Sequence, residues 1–221
     1  MSIKSLAVLT SGGDAPGMNA AIRAVVRAGI FYKKEVYGVH RGYDGLIEGE
    51  FETLHSKSVK NILSQGGTML KSARSAEFRT PEGRAKAAEN LRAQGIDGLV
   101  VIGGDGTFTG AHLLHEEHGI AVVGIPGTID NDLFGTDYTI GYDTATNTVV
   151  ECIDKIRDTA NSHNRMFIVE VMGRDAGFIA LSAGVATGAL DIVLPEKNTT
   201  MEDLYASIDR GAENKKTSNI I

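Results

Sequence analysis

The sequence predicts an α/β protein made of two Rossmann-like, three-layer domains with mostly parallel sheets, the second domain being incomplete. Short apolar runs alternate along the chain with longer helix-like segments, and glycine-rich turns follow several of the runs. This alternation is typical of βαβ units, whose parallel strands are covered by helices on both faces. With 221 residues, 42% of them hydrophobic, the chain can form one large or two smaller domains with a substantial core.

Successive βαβ units make up the first part of the chain. Apolar runs predict the strands, and helix 81–94 begins with proline and carries an early acid and later bases. Three glycines make range 41–50 a predicted loop. In order, the expected elements are strand 5–9, turn 11–17, helix 18–32, strand 35–39, loop 41–50, helix 81–94, strand 98–102, helix 108–118 and strand 120–125.

The same alternation continues in the second part, and Ile220–Ile221 looks like the start of a buried strand. Segment 137–142 is the expected crossing between domains, which gives domains 1–138 and 139–221. Since the chain stops at that apolar pair, we expect the second domain to be incomplete. The expected elements are helix 144–162, strand 165–172, helix 176–187, strand 191–194 and helix 201–213.

Composition excludes several classes of function. A formal net charge of −6 argues against a nucleic-acid groove, which normally has a basic face. Cys152 is the single cysteine, so an internal disulfide or a cysteine metal cluster is excluded. The start of the chain does not resemble a signal peptide, and the apolar runs are too short to span a bilayer. We therefore expect a soluble cytoplasmic protein with no nucleic-acid or membrane partner.

Three carboxylates follow two of the buried-strand candidates. Asp130 and Asp132 lie in the turn after run 120–125, and Asp105 lies in the turn after run 98–102. Open α/β sheets bind ligands at the carboxyl ends of their strands, and carboxylates are the hard oxygen ligands that magnesium prefers. One such aspartate alone would be read as a turn former or a helix cap. Three of them among glycines favour a magnesium–nucleotide site and a phosphoryl-transfer enzyme.

Other motifs allow both a functional and a structural interpretation. The glycine-rich turn 11–17 lets backbone amides approach a phosphate, or is only a tight turn capped by Asp14. A helix is expected just before Gly66, and Arg74 ends the loop that follows it. Arg74 would offset charge on a transferred phosphoryl group, or is a solvated surface arginine. Arg165 and Arg174 flank the expected strand 165–172 and would contact a second phosphate or a subunit boundary, or are ordinary surface charges.

Taken together, these segments closely resemble bacterial-type ATP-dependent 6-phosphofructokinase over essentially the whole chain. The order and spacing of the motifs are specific, whereas Gly-Gly-Asp-Gly-Thr alone also occurs in NAD kinases and lipid kinases. The carriers of the resemblance are 11–23, 66–74, 103–107, 126–132 and 170–174.

The resemblance implies a role for each matching residue. Asp130 matches the proton acceptor for the sugar 1-hydroxyl, and Asp105 and Asp132 match carboxylates that act on magnesium. The implied catalytic set is completed by Thr128 and Arg174. The ATP site matches Gly12, Arg74, Ser75, Gly104, Asp105, Gly106 and Thr107. The fructose 6-phosphate site matches Thr128, Ile129, Asp130, Arg165, Met172, Gly173 and Arg174.

The resemblance also implies ATP as phosphoryl donor, Mg²⁺ as metal, and a homotetramer in which Arg165 reaches the sugar 6-phosphate of a neighbouring subunit. The first domain would then bind ATP and magnesium, and the second the sugar phosphate. Relatives that use pyrophosphate carry Asp at the position of Gly106 and Lys at that of Gly127. Both positions are glycine here, which favours ATP.

Departures from the family concern its allosteric effector site, whose basic residues match Arg23, Arg27 and Arg157. Lys57 stands where arginine is usual, Leu190 where an acid is usual, and Thr217 where histidine is usual. Without the acid at position 190, a metal-linked diphosphate would lose a partner. These departures argue against standard activation by ADP and inhibition by phosphoenolpyruvate.

Two alternatives to this kinase follow from the same residues. The first is a related sugar kinase or an NAD kinase, against which Arg165 and loop 126–132 argue. The second is a nucleotide-binding module without catalysis, or an inactive fragment of such a kinase. The early end of the chain favours this second alternative, while the intact set of three aspartates argues against it.

Overall fold

The chain forms two compact units. The first comprises Met1–Thr128 with Leu133–Gly141, and the second comprises Ile129–Asp132 with Tyr142–Ile221. A computed structural model describes residues 3–163, 165–214 and 219–221, and describes Asn219 by its backbone only. Thr217 lies outside the described residues. The expected boundary after residue 138 stays a prediction.

A six-stranded sheet organises the first unit. Its strand order is β3-β2-β1-β4-β5-β6, and all neighbouring pairs are parallel except β2 with β3. The prediction of an α/β, Rossmann-like fold with a mostly parallel sheet is confirmed. The strands are β1 (Ser5–Thr10), β2 (Glu35–Val39), β3 (Phe51–Thr53), β4 (Gly98–Gly103), β5 (Ala121–Thr128) and β6 (Ile140–Gly141).

Helices cover both faces of this sheet. Side chains alternate along β1, so Ala7 and Leu9 join one buried cluster with α2, α3 and α4, while α1 packs on β1 and β2 from the other side. Pro81 opens α3, and the Thr80 hydroxyl accepts a hydrogen bond from the Gly83 amide at 3.1 Å. The helices are α1 (Met18–Phe31), α2 (Gly42–Glu48), a 3-10 turn (Glu77–Arg79), α3 (Pro81–Ala93) and α4 (Asp105–His118).

Because β2 and β4 lie on opposite sides of β1, the chain reverses its direction of winding between β1 and β4. In open α/β sheets such a reversal leaves a crevice at the carboxyl ends of the two strands. The turns that follow β1 and β4 therefore lie at the position where a ligand is expected.

The second unit is helical with a small parallel sheet. Its two strands pair Met166 with Asn219 and Phe167 with Ile220. The Tyr142 hydroxyl forms hydrogen bonds with the Phe178 carbonyl at 3.2 Å and with the Ser182 hydroxyl at 2.5 Å, which ties the first helix of the unit to the second. The elements are α5 (Tyr142–His163), β7 (Met166–Phe167), α6 (Phe178–Thr187), α7 (Met201–Glu213) and β8 (Asn219–Ile220).

The predictions for 41–50 and for the region before Gly66 were wrong. Range 41–50 contains α2, whose Tyr43, Leu46 and Ile47 are buried in the main cluster. Its glycines reflect close packing, since a Cβ at Gly45 would lie 1.7 Å from the His40 carbonyl oxygen. The helix expected just before Gly66 is a series of turns.

Two strand predictions in the second unit were also wrong. Strand 165–172 is reduced to β7, which pairs with β8 at two residues. Beyond β7, the Val169 amide still donates to the Ile221 carbonyl at 2.8 Å, and Ile168 is 77% exposed. Range 191–194 forms no strand; there, the Asp191 carboxylate accepts hydrogen bonds from its neighbour's amide and from the Ser207 hydroxyl. Among the described residues, no helix is long and apolar enough to cross a membrane.

An ion pair between a buried arginine and a more exposed glutamate links α3 to α4. Arg84 is 5% exposed and donates from Nε and Nη2 to the two carboxylate oxygens of Glu117, both at 2.6 Å. Its Nη1 donates to the carbonyls of Phe78 at 3.1 Å and Arg79 at 2.8 Å. The hydrogen bonds from Arg84 lower the pKa of Glu117 below its ordinary value of 4.5.

We expect Glu117→Gln to lower the free energy of unfolding at pH 7, because it leaves the Arg84 guanidinium without its charged partner. Since the pKa of Glu117 is lower in the folded state, its contribution is present above pH 4.5 and is lost as the pH falls through the folded value. Urea unfolding at several pH values checks this. The difference from the parent should shrink below pH 4.5. Glu116→Gln, on an exposed neighbouring side chain, is the control and should change little.

Candidate functional site

The turns after β1 and β4 lie against each other. The Thr107 hydroxyl donates to the Ser11 carbonyl at 3.1 Å, and the Ser11 amide donates to the Ile102 carbonyl at 3.1 Å. A Cβ at Gly103 would lie 2.5 Å from both the Ser11 carbonyl oxygen and the Thr107 hydroxyl oxygen, so only glycine fits there. This contact brings Gly12 beside Thr107, two residues that the sequence analysis places in the ATP site.

The first turn of α4 lies at the crevice beyond the carboxyl ends of β1 and β4. Asp105 begins the helix directly after Gly104, whose carbonyl accepts hydrogen bonds from the amides of Thr107 at 3.0 Å and Phe108 at 3.1 Å. No side chain caps the helix, and a Cβ at Gly106 would meet nothing within 4 Å. The positive end of the helix dipole lies at this helix start and favours an anion there.

The loop that carries Arg74 is fixed to the turn after β1. The Thr10 hydroxyl donates to the Lys71 carbonyl at 2.8 Å and lies 2.8 Å from the Thr68 hydroxyl. The Ser72 hydroxyl donates to the Gly12 carbonyl at 2.6 Å. Arg74 is therefore held two residues from a contact with the glycine-rich turn, and its own side chain is exposed.

Ser75 has a structural contact as well as a predicted place in the ATP site. Its hydroxyl accepts a hydrogen bond from the Phe78 amide at 3.1 Å, which starts the 3-10 turn. In the first unit, the structure thus brings Gly12 and Gly104–Thr107 together. It anchors the Arg74–Ser75 segment beside them.

Tyr43, which was not predicted as a site residue, contacts the start of α4. Its hydroxyl donates to the Thr107 carbonyl at 2.6 Å, and its ring stacks on Phe78 with centroids 3.8 Å apart and an angle of 8° between the planes. Burial raises the pKa of Tyr43 well above its ordinary range, so the hydroxyl stays a donor. The helical spacing of Tyr43, Leu46 and Ile47 was the available signal, and the prediction of a loop hid it.

Asp130, Asp132 and Arg174 belong to the second unit and interact there. Burial raises the pKa of the Asp130 carboxyl above its ordinary value of 3.8, the nearby charge of Asp132 raises it further, and Arg174 lowers it. The structure therefore brings the predicted base together with one predicted metal ligand and one predicted phosphate-binding cation. A half-buried carboxylate between like and unlike charges is the type of group that enzymes use as a proton acceptor.

The remaining substrate-side residues occupy different settings. Thr128 ends β5, pairs with Gly141 and accepts a hydrogen bond on its carbonyl from the Thr139 hydroxyl at 2.7 Å. Ile129 follows it and is partly buried. Met172 is 75% exposed, whereas Gly173 is buried and has no room for a side chain, since a Cβ would lie 2.4 Å from the Ala176 carbonyl oxygen.

Arg165 lies just after α5, and its amide donates to the Ala160 carbonyl at 3.2 Å while its side chain is exposed. Asp105 belongs to the first unit, and Asp130 and Asp132 belong to the second. Their joint action at one site stays a prediction.

Comparison with known proteins decides the family. The family model described as phosphofructokinase matches residues 5–221. The chain belongs to the phosphofructokinase family. It is 54% identical over 220 residues to the ATP-dependent 6-phosphofructokinase 2 of Bacteroides thetaiotaomicron, covering 100% of this chain and 68% of that protein.

Two further relatives support the assignment to this family. The ATP-dependent 6-phosphofructokinase of Bacillus thuringiensis is 58% identical over 219 residues, covering 99% of this chain and 68% of that protein. The structure of phosphofructokinase from Saccharomyces cerevisiae superposes with a TM-score of 0.91 at 44% identity, covering 99% of this chain and 33% of that one. The chain therefore spans about two thirds of its bacterial relatives and a third of the yeast chain.

The carboxylates of this phosphofructokinase fit magnesium that is bound together with phosphate. The described residues contain no group of three or more His, Cys, Asp or Glu side chains able to hold a metal ion alone. Magnesium commonly takes one or two protein carboxylates and completes its octahedron with water and phosphate oxygens. Asp105 is exposed in the first turn of α4, and Asp132 lies near Asp130, so each offers an oxygen donor of the right kind.

The residues that match the family's effector site are partly engaged within the fold. The Arg27 Nη1 donates to the Ser56 hydroxyl at 2.6 Å, one residue before the exposed Lys57, and Arg23 lies one helical turn earlier. In the second unit, Arg157 donates to the Thr187 carbonyl. Leu190 packs on α7, where a Cβ at Gly211 would lie 2.7 Å from its Cδ1.

We expect Gly103→Ala to lower the melting temperature by roughly 3–10 °C, because overpacking between two backbone segments costs about 1–3 kcal/mol. Gly106→Ala should leave it unchanged or slightly higher, since its Cβ meets open space on a helix. Thermal unfolding of both variants beside the parent checks the pair. Equal melting temperatures for the two variants would contradict the described packing of the two turns.

Proposed function

We propose that this chain transfers the γ-phosphoryl group of ATP to the 1-hydroxyl of fructose 6-phosphate, giving fructose 1,6-bisphosphate and ADP, a step of glycolysis. The observation that carries the proposal is its 54–58% identity, over essentially its full length, to proteins named ATP-dependent 6-phosphofructokinase. Within each unit, the predicted residues have surroundings that are chemically suitable for this reaction.

Asp130 is the proposed base. As the sugar oxygen bonds to phosphorus and the bond to ADP breaks, the hydroxyl proton passes to the Asp130 carboxylate. Its partial burial and the neighbouring Asp132 raise the pKa of Asp130 and favour the protonated form, while the charge of Arg174 favours the ionised form. This balance suits a group that must begin charged and end neutral.

Arg174 and Arg74 are the proposed cations that offset charge on the transferred phosphoryl group. Magnesium, when bound, would neutralise phosphate oxygens, and Asp105 and Asp132 are the side chains proposed to hold it. The phosphates of ATP would lie against the amides of Gly12 and of Gly104–Thr107. Ser75 would line the same site on the Arg74 segment.

Fructose 6-phosphate would bind along Thr128, Ile129 and the 172–174 segment. Exposure of Arg165 supports its proposed contact with the 6-phosphate in a neighbouring subunit, which makes a homotetramer with shared active sites part of this proposal. Location in the cytoplasm belongs to the proposal too.

ATP is the proposed donor because neither glycine position carries the side chain of a pyrophosphate-dependent enzyme. The space around Gly106 is open in this chain, which leaves room for the adenosine-bearing phosphate. A Cβ at Gly127 would lie 2.9 Å from Ile102 Cγ2, so a lysine there would displace the buried end of β4.

For regulation, we propose that a metal-linked diphosphate does not activate this enzyme in the usual way. Leu190 stands where an acid would hold the metal, and its side chain is packed on Gly211. Arg23, Arg27 and Arg157 remain the proposed effector-binding residues. The alternative, a nucleotide-binding module without catalysis or an inactive fragment, is not favoured, because the close relatives carry enzyme names and the three aspartates are present.

Asp130→Asn should reduce kcat by about 10²–10⁴, because it keeps the shape of the side chain and removes the base. ADP release from magnesium-ATP with fructose 6-phosphate is the measurement. Asp154→Asn, at an exposed position on α5, is the control and should retain the parent rate. An Asp130→Asn enzyme with a nearly full rate would exclude the proposed role of this residue.

Gly106→Asp should raise the KM for ATP on the order of tenfold or more, because its carboxylate would enter the space proposed for a phosphate and repel it. The melting temperature should not change, since the position is open. Steady-state kinetics with varied ATP, together with thermal unfolding, check both statements. An unchanged KM for ATP would place the nucleotide elsewhere.

A further inference from the structure

Several residues of the proposed site have a positive φ although they are not glycine. Within the described residues, six that are not glycine have a positive φ, in the left-handed region that L-amino acids usually avoid. Three of them lie in segments proposed to bind substrates or carry the chemistry. The six are Lys33, Arg41, Asn61, Lys71, Asn131 and Arg174.

Asn131 is the member of this set that separates the two carboxylates of the second unit. Its φ is +54°, and the flanking Asp130 and Asp132 interact electrostatically. Returning this φ to a right-handed value near −60° would rotate the chain by about 115° around one bond. Such a rotation would redirect Asp132 relative to Asp130, because both are directly bonded to the residue that turns.

Arg174, which also interacts with Asp130, has a φ of +57°. It follows Gly173, whose φ of +155° and lack of space for a Cβ fix the approach of the chain. Both segments that meet at Asp130 are therefore held in left-handed conformation beside it. Strained backbone of this kind persists only where the surrounding structure imposes it, and it is found at active sites.

We propose that Asn131 is a positioning residue whose left-handed backbone sets the relation between Asp130 and Asp132. This inference rests on the proposed function, in which Asp130 is the base. The requirement is the conformation of the main chain, and asparagine meets it because it adopts this region more readily than most residues. Arg174 cannot test the idea, since its side chain is itself placed in the binding machinery.

Glycine and alanine at position 131 separate the backbone from the side chain. Both remove the amide group, but glycine adopts positive φ freely, whereas alanine is penalised there. We expect Asn131→Gly to keep at least a third of the parent kcat and Asn131→Ala to keep less than a tenth. The KM values for ATP and fructose 6-phosphate should stay within threefold, because the change disturbs the alignment of the base.

Asn61 supplies the matched control, since it is also an asparagine with positive φ, at +61°, in an exposed turn of the first unit. Asn61→Gly and Asn61→Ala should have equal kcat within twofold, while their melting temperatures report the general cost of alanine in this conformation. A merely structural role for Asn131 would lower the melting temperature in the same way and leave kcat per folded molecule unchanged.

Three results would overturn the inference or its basis. Equal loss of kcat in the glycine and alanine variants would show that the Asn131 side chain is required, and equal retention would show that its backbone conformation is not. Either result, with a fully active parent chain, rejects this inference and leaves the proposed function intact. Absence of turnover in the unchanged chain would reject the function proposed for it, and the inference with it.

Discussion

The described site of the first unit depends on the close approach of two backbone turns at the carboxyl ends of β1 and β4. Gly103 lacks the side chain that would separate them, and the Thr107 hydroxyl closes the contact by donating to the Ser11 carbonyl. Because the strands are parallel and adjacent, this contact places a glycine-rich turn beside the start of α4. The Tyr43 hydroxyl contacts the same helix start by donating to the Thr107 carbonyl. The Ser72 hydroxyl fixes the Arg74 loop to the glycine-rich turn by donating to the Gly12 carbonyl.

In the second unit, charge dominates the surroundings of the predicted residues. Two carboxylates and one guanidinium interact through Asp130, which is partly removed from water. Like charges in such a setting are unfavourable unless a cation or a proton compensates them. Phosphoryl transfer supplies both at different stages, through the proposed magnesium and through the hydroxyl proton. The repulsion between the Asp130 and Asp132 carboxylates, which is unfavourable in the resting protein, would therefore favour metal binding and proton transfer in the proposed reaction.

Much of this arrangement could be predicted from the sequence, because the end of a strand is marked locally by an apolar run and by the glycines that follow it. The apolar run 98–102 and the glycines after it located β4 and the start of α4, and the run before Gly127 located the carboxylates. Helix 201–213 was predicted at its observed bounds, since an amphipathic pattern is a local feature of the sequence.

Features that depend on distant contacts escaped prediction. The glycines of α2 were read as a loop, whereas they allow the helix to pack on the His40 carbonyl, and Tyr43 was missed with it. Strand 165–172 was predicted too long, because the pairing of β7 with β8 is a contact between distant parts of the chain. The left-handed backbone of Asn131 is set by tertiary structure as well, although asparagine permits it.

The proposed reaction is tested most directly by phosphorus NMR of the purified chain with magnesium and fructose 6-phosphate, supplied with either ATP or pyrophosphate. We expect ATP to be converted to ADP while a second phosphate ester appears on carbon 1 of the sugar. With pyrophosphate, no such ester should form. An ester formed from pyrophosphate would contradict the proposed donor, and its absence with both donors would contradict the proposed activity of this chain.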